Sequence, residues 1–127
     1  MYDIQGQITR CFTYLLQGLI NQAKQIIIVS GAASLPPEET EPLILLALAI
    51  IDYNENKIED ALGRLKRIIH INPESPPEIW LAIGICYSKL SNLPKAKFAL
   101  EHVLSVDPNN SMALTSLGVV ELQINFY

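Results

Sequence analysis

Residues 77–110 decide the fold and read PEIWLAIGICYSKLSNLPKAKFALEHVLSVDPNN. Apolar residues recur at steps of three and four over residues 79–90 and again over residues 96–106, a pattern typical of two amphipathic helices. Pro108 follows the second run, and proline stops a helix because it lacks the amide hydrogen. The stretch therefore predicts a pair of consecutive helices.

The same pattern recurs at a nearly fixed step, so the helix pair is a repeat. A step of 35 residues back from Ala96 and Pro108 reaches Ala61 and Pro73. A step of 34 residues forward from Gly84 reaches Gly118. The corresponding apolar or small positions of the earlier copy are Leu48, Ala49, Tyr53, Leu65 and Ile68, with Tyr53 as the counterpart of Tyr87.

Small residues inside the predicted helices indicate close packing. Glycine inside a helix costs about 1 kcal/mol relative to alanine, so Gly84 and Gly118 need a compensating contact. We expect both to allow a neighbouring helix to approach, near an alanine such as Ala61 or Ala96. At the start of one helix, Ser75 is the expected capping residue.

Composition and charge exclude several classes of protein. The chain has 127 residues and a formal net charge of -4, which argues against binding to nucleic acid phosphates. Its longest apolar stretch, residues 43–51, is too short to cross a membrane, and the first residues lack the features of a signal peptide. Cys11 and Cys86 fall within helical patterns and are predicted to be core residues.

Chemical motifs are missing as well. The spacing Asp52-x-Asn54-x-Asn56 imitates a calcium loop, but Lys57 replaces the required glycine. The sequence contains neither a glycine-rich phosphate loop nor a nucleophile elbow, and neither histidine has ligand spacing to other residues. We therefore predict no enzyme activity, no metal and no cofactor.

Trp80-x-x-Ile83-Gly84-x-x-Tyr87, followed by Ala96-x-x-x-Leu100 and Pro108, resembles the tetratricopeptide repeat (TPR) almost position for position. The resemblance implies an all-α fold, a right-handed superhelix of antiparallel helix pairs with about three and a half repeats. We expect one domain over residues 1–127, with a degenerate repeat at 4–37, complete repeats at 42–75 and 77–110, and a half repeat at 111–127. The signature residues are Tyr14, Gly18, Ala23, Ala61, Pro73, Trp80, Gly84, Tyr87, Ala96, Pro108 and Gly118.

The family geometry also implies a concave groove lined by the first helix of each repeat. Its lining is mostly apolar and lacks the lysine, arginine and asparagine residues that would hold the acidic tails of heat-shock chaperones. Such a groove favours a partner helix or an extended apolar segment. The alternative is that these side chains pack against a following repeat or a neighbouring copy. The predicted groove residues are Ile8, Phe12, Leu46, Ile50, Tyr53, Leu81, Ile85, Lys89, Thr115 and Val119.

Residues 13–23, 78–99 and 113–122 are similar to one branch of the family, the TPR scaffold subunits of polymerase-associated-factor complexes. These complexes accompany RNA polymerase II during transcription elongation. The resemblance implies a nuclear protein that binds segments of fellow subunits. Charge and the length of the apolar stretches separately predict an intracellular protein without direct contact to nucleic acid or membrane. Exposed apolar repeat ends would also allow self-association. The alternatives are a co-chaperone or trafficking adaptor that binds peptides, and an accessory domain of an enzyme.

Overall fold

A computed structural model describes the backbone of residues 4–30 and 41–126 and the side chains of residues 10–29 and 41–125. Every regular element in this described part is an α-helix, as the sequence predicts. The described helices are α1 (Ile4–Leu16), α2 (Ile20–Ser30), α3 (Pro42–Asn54), α4 (Ile58–Ile71), α5 (Pro77–Lys89), α6 (Leu93–Val106) and α7 (Ser111–Phe126).

The chain packs as two compact units, Met1–Ile68 (unit 1) and Ile69–Tyr127 (unit 2). In unit 1, α1 pairs with α2, and α3 packs against both. Removal of their apolar side chains from water is the main favourable contribution to this packing. The buried residues of the resulting core are Cys11, Ala23, Ile27, Ile44, Ala47, Leu48 and Ile51.

Unit 2 consists of the α5–α6 pair, with α7 packed against it, mainly on α6. The ring of Trp80 lies 4.3 Å from that of His102, centroid to centroid, so this histidine is part of the helix packing. The buried residues of the unit 2 core are Leu81, Ala96, Leu100, Val103, Ala113 and Val120.

Three helix pairs are joined by the same turn. Gly18, Asn56 and Ser91 have positive φ angles of 77°, 63° and 61°, the left-handed conformation that commonly ends a helix. In each turn the following amide donates to a carbonyl five residues back, as in a Schellman motif. These bonds run from Leu19 to Tyr14 (2.8 Å), from Lys57 to Asp52 (2.8 Å) and from Asn92 to Tyr87 (2.9 Å).

The turns define the register between the pairs. The left-handed residues are 38 residues (56 minus 18) and 35 residues (91 minus 56) apart. The same two steps connect Ala23 to Ala61 and Ala61 to Ala96, and all three alanines are completely buried. They also connect Cys11, Ala49 and Gly84, which are buried as well. Each pair therefore has two small residues at equivalent points.

Gly84 lies in close contact with α6. A Cβ atom at this position would lie 2.9 Å from Cγ and Cδ2 of Leu100 and 3.5 Å from the carbonyl oxygen of Ala96. The expectation of a second close contact at Gly118 is wrong, since nothing lies within 4 Å of a Cβ atom built there. The reason is that no described helix packs against that point of α7.

The turn register corrects one assignment made from sequence spacing. Asp52, rather than Tyr53, occupies the position equivalent to Tyr87, because Asp52 provides the carbonyl that closes its turn. Asp52 is only 7% exposed. Its carboxylate is compensated by Arg64, whose Nε donates to Oδ2 at 2.7 Å. Sequence spacing did not identify Asp52, because an apolar or aromatic residue is expected at this position and a carboxylate paired with Arg64 is found instead.

The start of α5 also differs from the prediction. Pro76 is the N-cap residue, without a side-chain capping bond, and Pro77 begins the helix. Ser75 instead donates its hydroxyl to the carbonyl of Asn72. Proline at the first helical position needs no capping acceptor of its own, because it has no amide hydrogen.

Candidate functional site

A cleft of about 290 Å³ lies between α5 and α7 in unit 2. Its α5 wall contains residues three and four positions apart, which share one face of the helix. Its α7 wall is formed in the same way. The residues that line this α5–α7 cleft are Ile85, Ser88, Lys89, Thr115, Ser116 and Val119.

Both walls of the cleft are held in place by contacts with the unit 2 core. Ile85 is partly buried and packs against the core of unit 2, which anchors its side of the cleft. On the other side, the buried residues Ala113 and Val120 tie α7 to the same core. The first turn of α7 is capped, since the amide of Ala113 donates to Oδ1 of Asn110 at 2.9 Å.

The chemistry of the cleft suits a peptide anchor. Ile85 and Val119 provide apolar contact, and Val119 is 49% exposed. Three hydroxyl side chains can donate to or accept from a peptide group. Lys89 is the single ionisable residue among those that line the cleft. The cleft can therefore hold an apolar side chain beside polar or anionic groups.

Four predicted groove residues line this cleft: Ile85, Lys89, Thr115 and Val119. Leu81 is only 8% exposed and belongs to the core, so it offers little surface to a partner. Sequence reasoning missed Ser88 and Ser116. Ser88 lies three residues after Ile85 on the same face of α5, so this helical spacing is the signal that could have found it.

The predicted groove residues of unit 1 lie in different surroundings. Phe12 is partly buried against the unit 1 core. Leu46, Ile50 and Tyr53 are partly exposed on α3. Ile8 lies in α1, but its side chain is outside the described residues. Their assignment to a groove remains a prediction.

A second cleft, of about 310 Å³, lies between α1 and α2. The sequence analysis did not predict it, although amide side chains concentrated early in α2 were a visible signal. Five of its six lining residues have polar side chains, compared with four of six in the α5–α7 cleft. Its lining residues are Arg10, Tyr14, Asn21, Gln22, Gln25 and Ile26.

Charges in unit 1 serve to join helices. Lys24 on α2 donates to Oε2 of Glu55 at 2.7 Å, and Glu55 lies in the turn after α3. The hydrogen bond from Lys24, followed by its positive charge and that of Lys57, lowers the pKa of the Glu55 carboxyl. Burial raises the pKa of the Cys11 and Cys86 thiols, which keeps both cysteines protonated and poorly nucleophilic.

Residues 4–30 and 41–126 provide neither a membrane-spanning helix nor a cluster of metal ligands. In these ranges no helix is both long and apolar enough to cross a membrane. The same ranges contain no group of three or more histidine, cysteine or acidic side chains arranged to hold a metal ion.

The fold is that of a solved structure, the second TPR domain of the human RPAP3 protein in complex with the HSP70 peptide SGPTIEEVD. The TM-score is 0.68, and the match covers 91% of this chain and 92% of that domain at 21% sequence identity. The chain has the tetratricopeptide-repeat fold. The all-α fold predicted from the repeat signature is thereby confirmed.

Among proteins of known sequence, this TPR chain resembles CTR9. It is 38% identical to the protein CTR9 homolog of Arabidopsis thaliana over 81 residues, which is 64% of this chain. It is 28% identical to the RNA polymerase-associated protein CTR9 of Caenorhabditis elegans over 86 residues, or 68% of this chain. These matches span about 7% of the length of each relative. No protein-family model matches the chain.

Proposed function

We propose that this TPR chain is part of a nuclear scaffold associated with RNA polymerase II during transcription elongation, and that it acts by binding a segment of a partner protein in the α5–α7 cleft. The observation that carries the proposal is the apolar cleft with its hydroxyl rim, in a chain whose sequence resembles CTR9. The name of the Caenorhabditis elegans relative supports the link to RNA polymerase.

The physical case rests on exposed apolar surface. Val119 and several other large apolar side chains of α7 are exposed in unit 2. Large exposed apolar patches mark interaction surfaces, and their burial contributes roughly 25 cal/mol per Å² before the cost of ordering is subtracted. The partner is a protein, since the negative net charge disfavours nucleic acid. The chain works by holding its partner and not by catalysis.

The experiment measures binding of the chain to overlapping peptides from the other subunits of the polymerase-associated-factor complex. Val119→Asp places a charge in the cleft and should weaken binding at least tenfold, because desolvation of an unpaired carboxylate is costly. The matched control is Leu114→Asp, since Leu114 is 51% exposed on the same helix and does not line the cleft. Equal losses in both variants would refute the assignment of the site.

A co-chaperone or adaptor is the second candidate, because the RPAP3 domain of similar fold is in complex with an HSP70 peptide. Binding of the peptide SGPTIEEVD, measured in the same way, separates the elongation scaffold from the co-chaperone. We expect weak binding, since acidic tails need several cationic and amide donors. Lys89 is the one cation that lines the α5–α7 cleft. Tight binding of this peptide, together with no binding of elongation-complex peptides, would favour the co-chaperone.

A further inference from the structure

Helix α7 has an exposed face that its own unit does not cover. Ala113 and Val120, on one side of the helix, are completely buried in the unit 2 core. The opposite side is exposed and centred on Gly118. With 3.6 residues per turn, its exposed positions share about a third of the helix circumference. This Gly118 face consists of Gly118 together with Ser111, Leu114, Thr115, Glu121, Leu122 and Asn125.

Gly118 permits close approach of a second helix. Its counterpart Gly84, 34 residues earlier, lets Leu100 of α6 approach so closely that a Cβ atom at Gly84 would lie 2.9 Å from it. Nothing lies within 4 Å of a Cβ atom built at Gly118, so this glycine weakens α7 without a compensating contact. Leu114 and Leu122 flank it and are 51% and 58% exposed. A second helix laid across Gly118 would cover both leucines.

The Gly118 face is complementary to itself in an antiparallel arrangement. In a two-fold symmetric contact, residue i of one copy meets residue j of the other, and j meets i. If the two copies cross at Gly118, residues equally far from it in the sequence lie at the same level. Leu114 and Leu122 are each four residues from Gly118, so each leucine meets its counterpart from the other copy.

The polar positions of the face match in the same way. Thr115 and Glu121 are each three residues from Gly118, so the hydroxyl of one copy can donate to the carboxylate of the other. Ser111 and Asn125, each seven residues away, bring a hydroxyl group to an amide. Glu121 is the single charged residue of α7. A parallel pair would bring the two Glu121 carboxylates to the same level, where like charges repel.

From this symmetry we infer that the Gly118 face binds a second copy of the chain, with the two α7 helices antiparallel and Gly118 at their crossing point. Stable interfaces bury at least about 1,200 Å², and one 16-residue helix per copy provides less, so the dimer is weak and dissociates in dilute solution. The inference goes beyond the proposed function and does not depend on it. Of the residues on the Gly118 face, only Thr115 also lines the α5–α7 cleft.

The decisive experiment is disulfide cross-linking between two cysteine variants of the chain. In the antiparallel arrangement, Leu114 meets Leu122 of the other copy, whereas the two Leu114 residues are separated by eight residues, or about 12 Å, along the helix axis. Cysteines whose Cα atoms are more than about 7 Å apart cannot be bridged. Mild oxidation should therefore cross-link a mixture of Leu114→Cys and Leu122→Cys, and neither variant alone. The unmodified chain is the control, since Cys11 and Cys86 are buried.

Sedimentation equilibrium measures the association without a cross-link. The unmodified chain should approach the mass of a dimer as its concentration rises towards about 1 mM. Leu122→Asp should weaken the association at least tenfold, because its carboxylate would lose water against the other copy. The matched control is Met112→Asp, which should leave the association unchanged. Met112 is 59% exposed on α7 but lies outside the Gly118 face.

Several outcomes would overturn the inference. Cross-links within each single cysteine variant, and not in the mixture, would mean parallel helices. A chain that stays monomeric up to the highest concentration, or that associates equally well with Leu122→Asp, would show that this face does not bind a second copy. If the monomeric chain also lost peptide binding through Leu122→Asp, the face would belong to a partner protein. The α5–α7 cleft is tested separately, by Val119→Asp.

Discussion

The α3–α4 and α5–α6 pairs have the same turn and the same buried alanine, but differ at the position that precedes the turn. In α5–α6 this position is Tyr87, with Nζ of Lys95 at 5.7 Å from its ring centroid. In α3–α4 it is Asp52, paired with Arg64. The difference teaches that the backbone turn and the small residue maintain the repeat, whereas the aromatic signature can be replaced when a partner across the pair compensates.

The largest expected effect comes from removal of that partner. Arg64→Ala leaves the buried Asp52 carboxylate without its cation and should lower the free energy of unfolding by about 2 kcal/mol. The loss is below that of a fully buried pair because the Arg64 side chain is 32% exposed. Lys95→Ala, which removes the cation beside Tyr87 in α5–α6, should cost about 0.5 kcal/mol, since only an exposed cation–π contact is lost. Chemical denaturation followed by circular dichroism measures both.

A double substitution sharpens the comparison between the pairs. The register equates Arg64 with Ala99, just as it equates Asp52 with Tyr87 (each 35 residues apart). The combination Asp52→Tyr with Arg64→Ala therefore places at these two positions of α3–α4 the residue types that α5–α6 has there. It should recover most of the stability lost by Arg64→Ala alone. A double variant as unstable as the single one would show that the two pairs are not interchangeable.

Two glycines at equivalent positions provide the next test. Gly84→Ala and Gly118→Ala both gain about 1 kcal/mol of helix propensity. Only at Gly84 does the new methyl group meet another side chain, that of the completely buried Leu100. Overpacking of this kind costs about 1 to 3 kcal/mol. Thermal denaturation should therefore show Gly118→Ala more stable than the unmodified chain and Gly84→Ala at or below it.

These pairs also show how far the sequence predicts the structure. The helices, Gly84 and Ala96 followed from periodicity and spacing, because close packing restricts the size of these residues locally. The role of Asp52 did not follow, since a charged residue at an aromatic position makes sense only with Arg64, which lies on the next helix. Gly118 matches the repeat signature but has no close contact with another helix. The signature does not specify which helix packs next to a repeat.

The candidate site was predictable in part for a similar reason. Ile85 and Val119 are apolar and lie on the first helices of their repeats, which the family geometry places in the groove, so residue type and spacing together predict them. Leu81 also has the right position, but its burial depends on how α6 and α7 pack around it. The α1–α2 cleft was not predicted, because exposed amide side chains on a helix look the same in sequence whether or not they line a cleft.

Substitutions of the left-handed turn residues test the contribution of the shared turn to stability. Gly18 adopts its positive φ at no steric cost, whereas Ser91 pays about 1 kcal/mol in the same conformation. Ser91→Gly should therefore raise the free energy of unfolding by up to about 1 kcal/mol, and Gly18→Ala should lower it by a similar amount. Asn56→Gly should have the smaller effect, because asparagine tolerates this conformation. Urea denaturation of the three variants checks this order, and a stabilising Gly18→Ala would contradict it.

The smallest effect concerns the ion pair that joins α2 to the turn after α3. The hydrogen bond from Lys24 lowers the pKa of Glu55 below its ordinary value of 4.5, so protonation of Glu55 is easier in the unfolded chain. The stabilisation is therefore fully present above the unfolded pKa and is lost as the pH falls through the folded pKa. Denaturation at several pH values should show the advantage of the unmodified chain over Glu55→Gln shrinking below pH 4.5, with little change near neutrality. Lys24→Met should weaken the same dependence, because it removes the main cause of the shift; if the pH dependence persists in that variant, the Lys24 hydrogen bond is not its source.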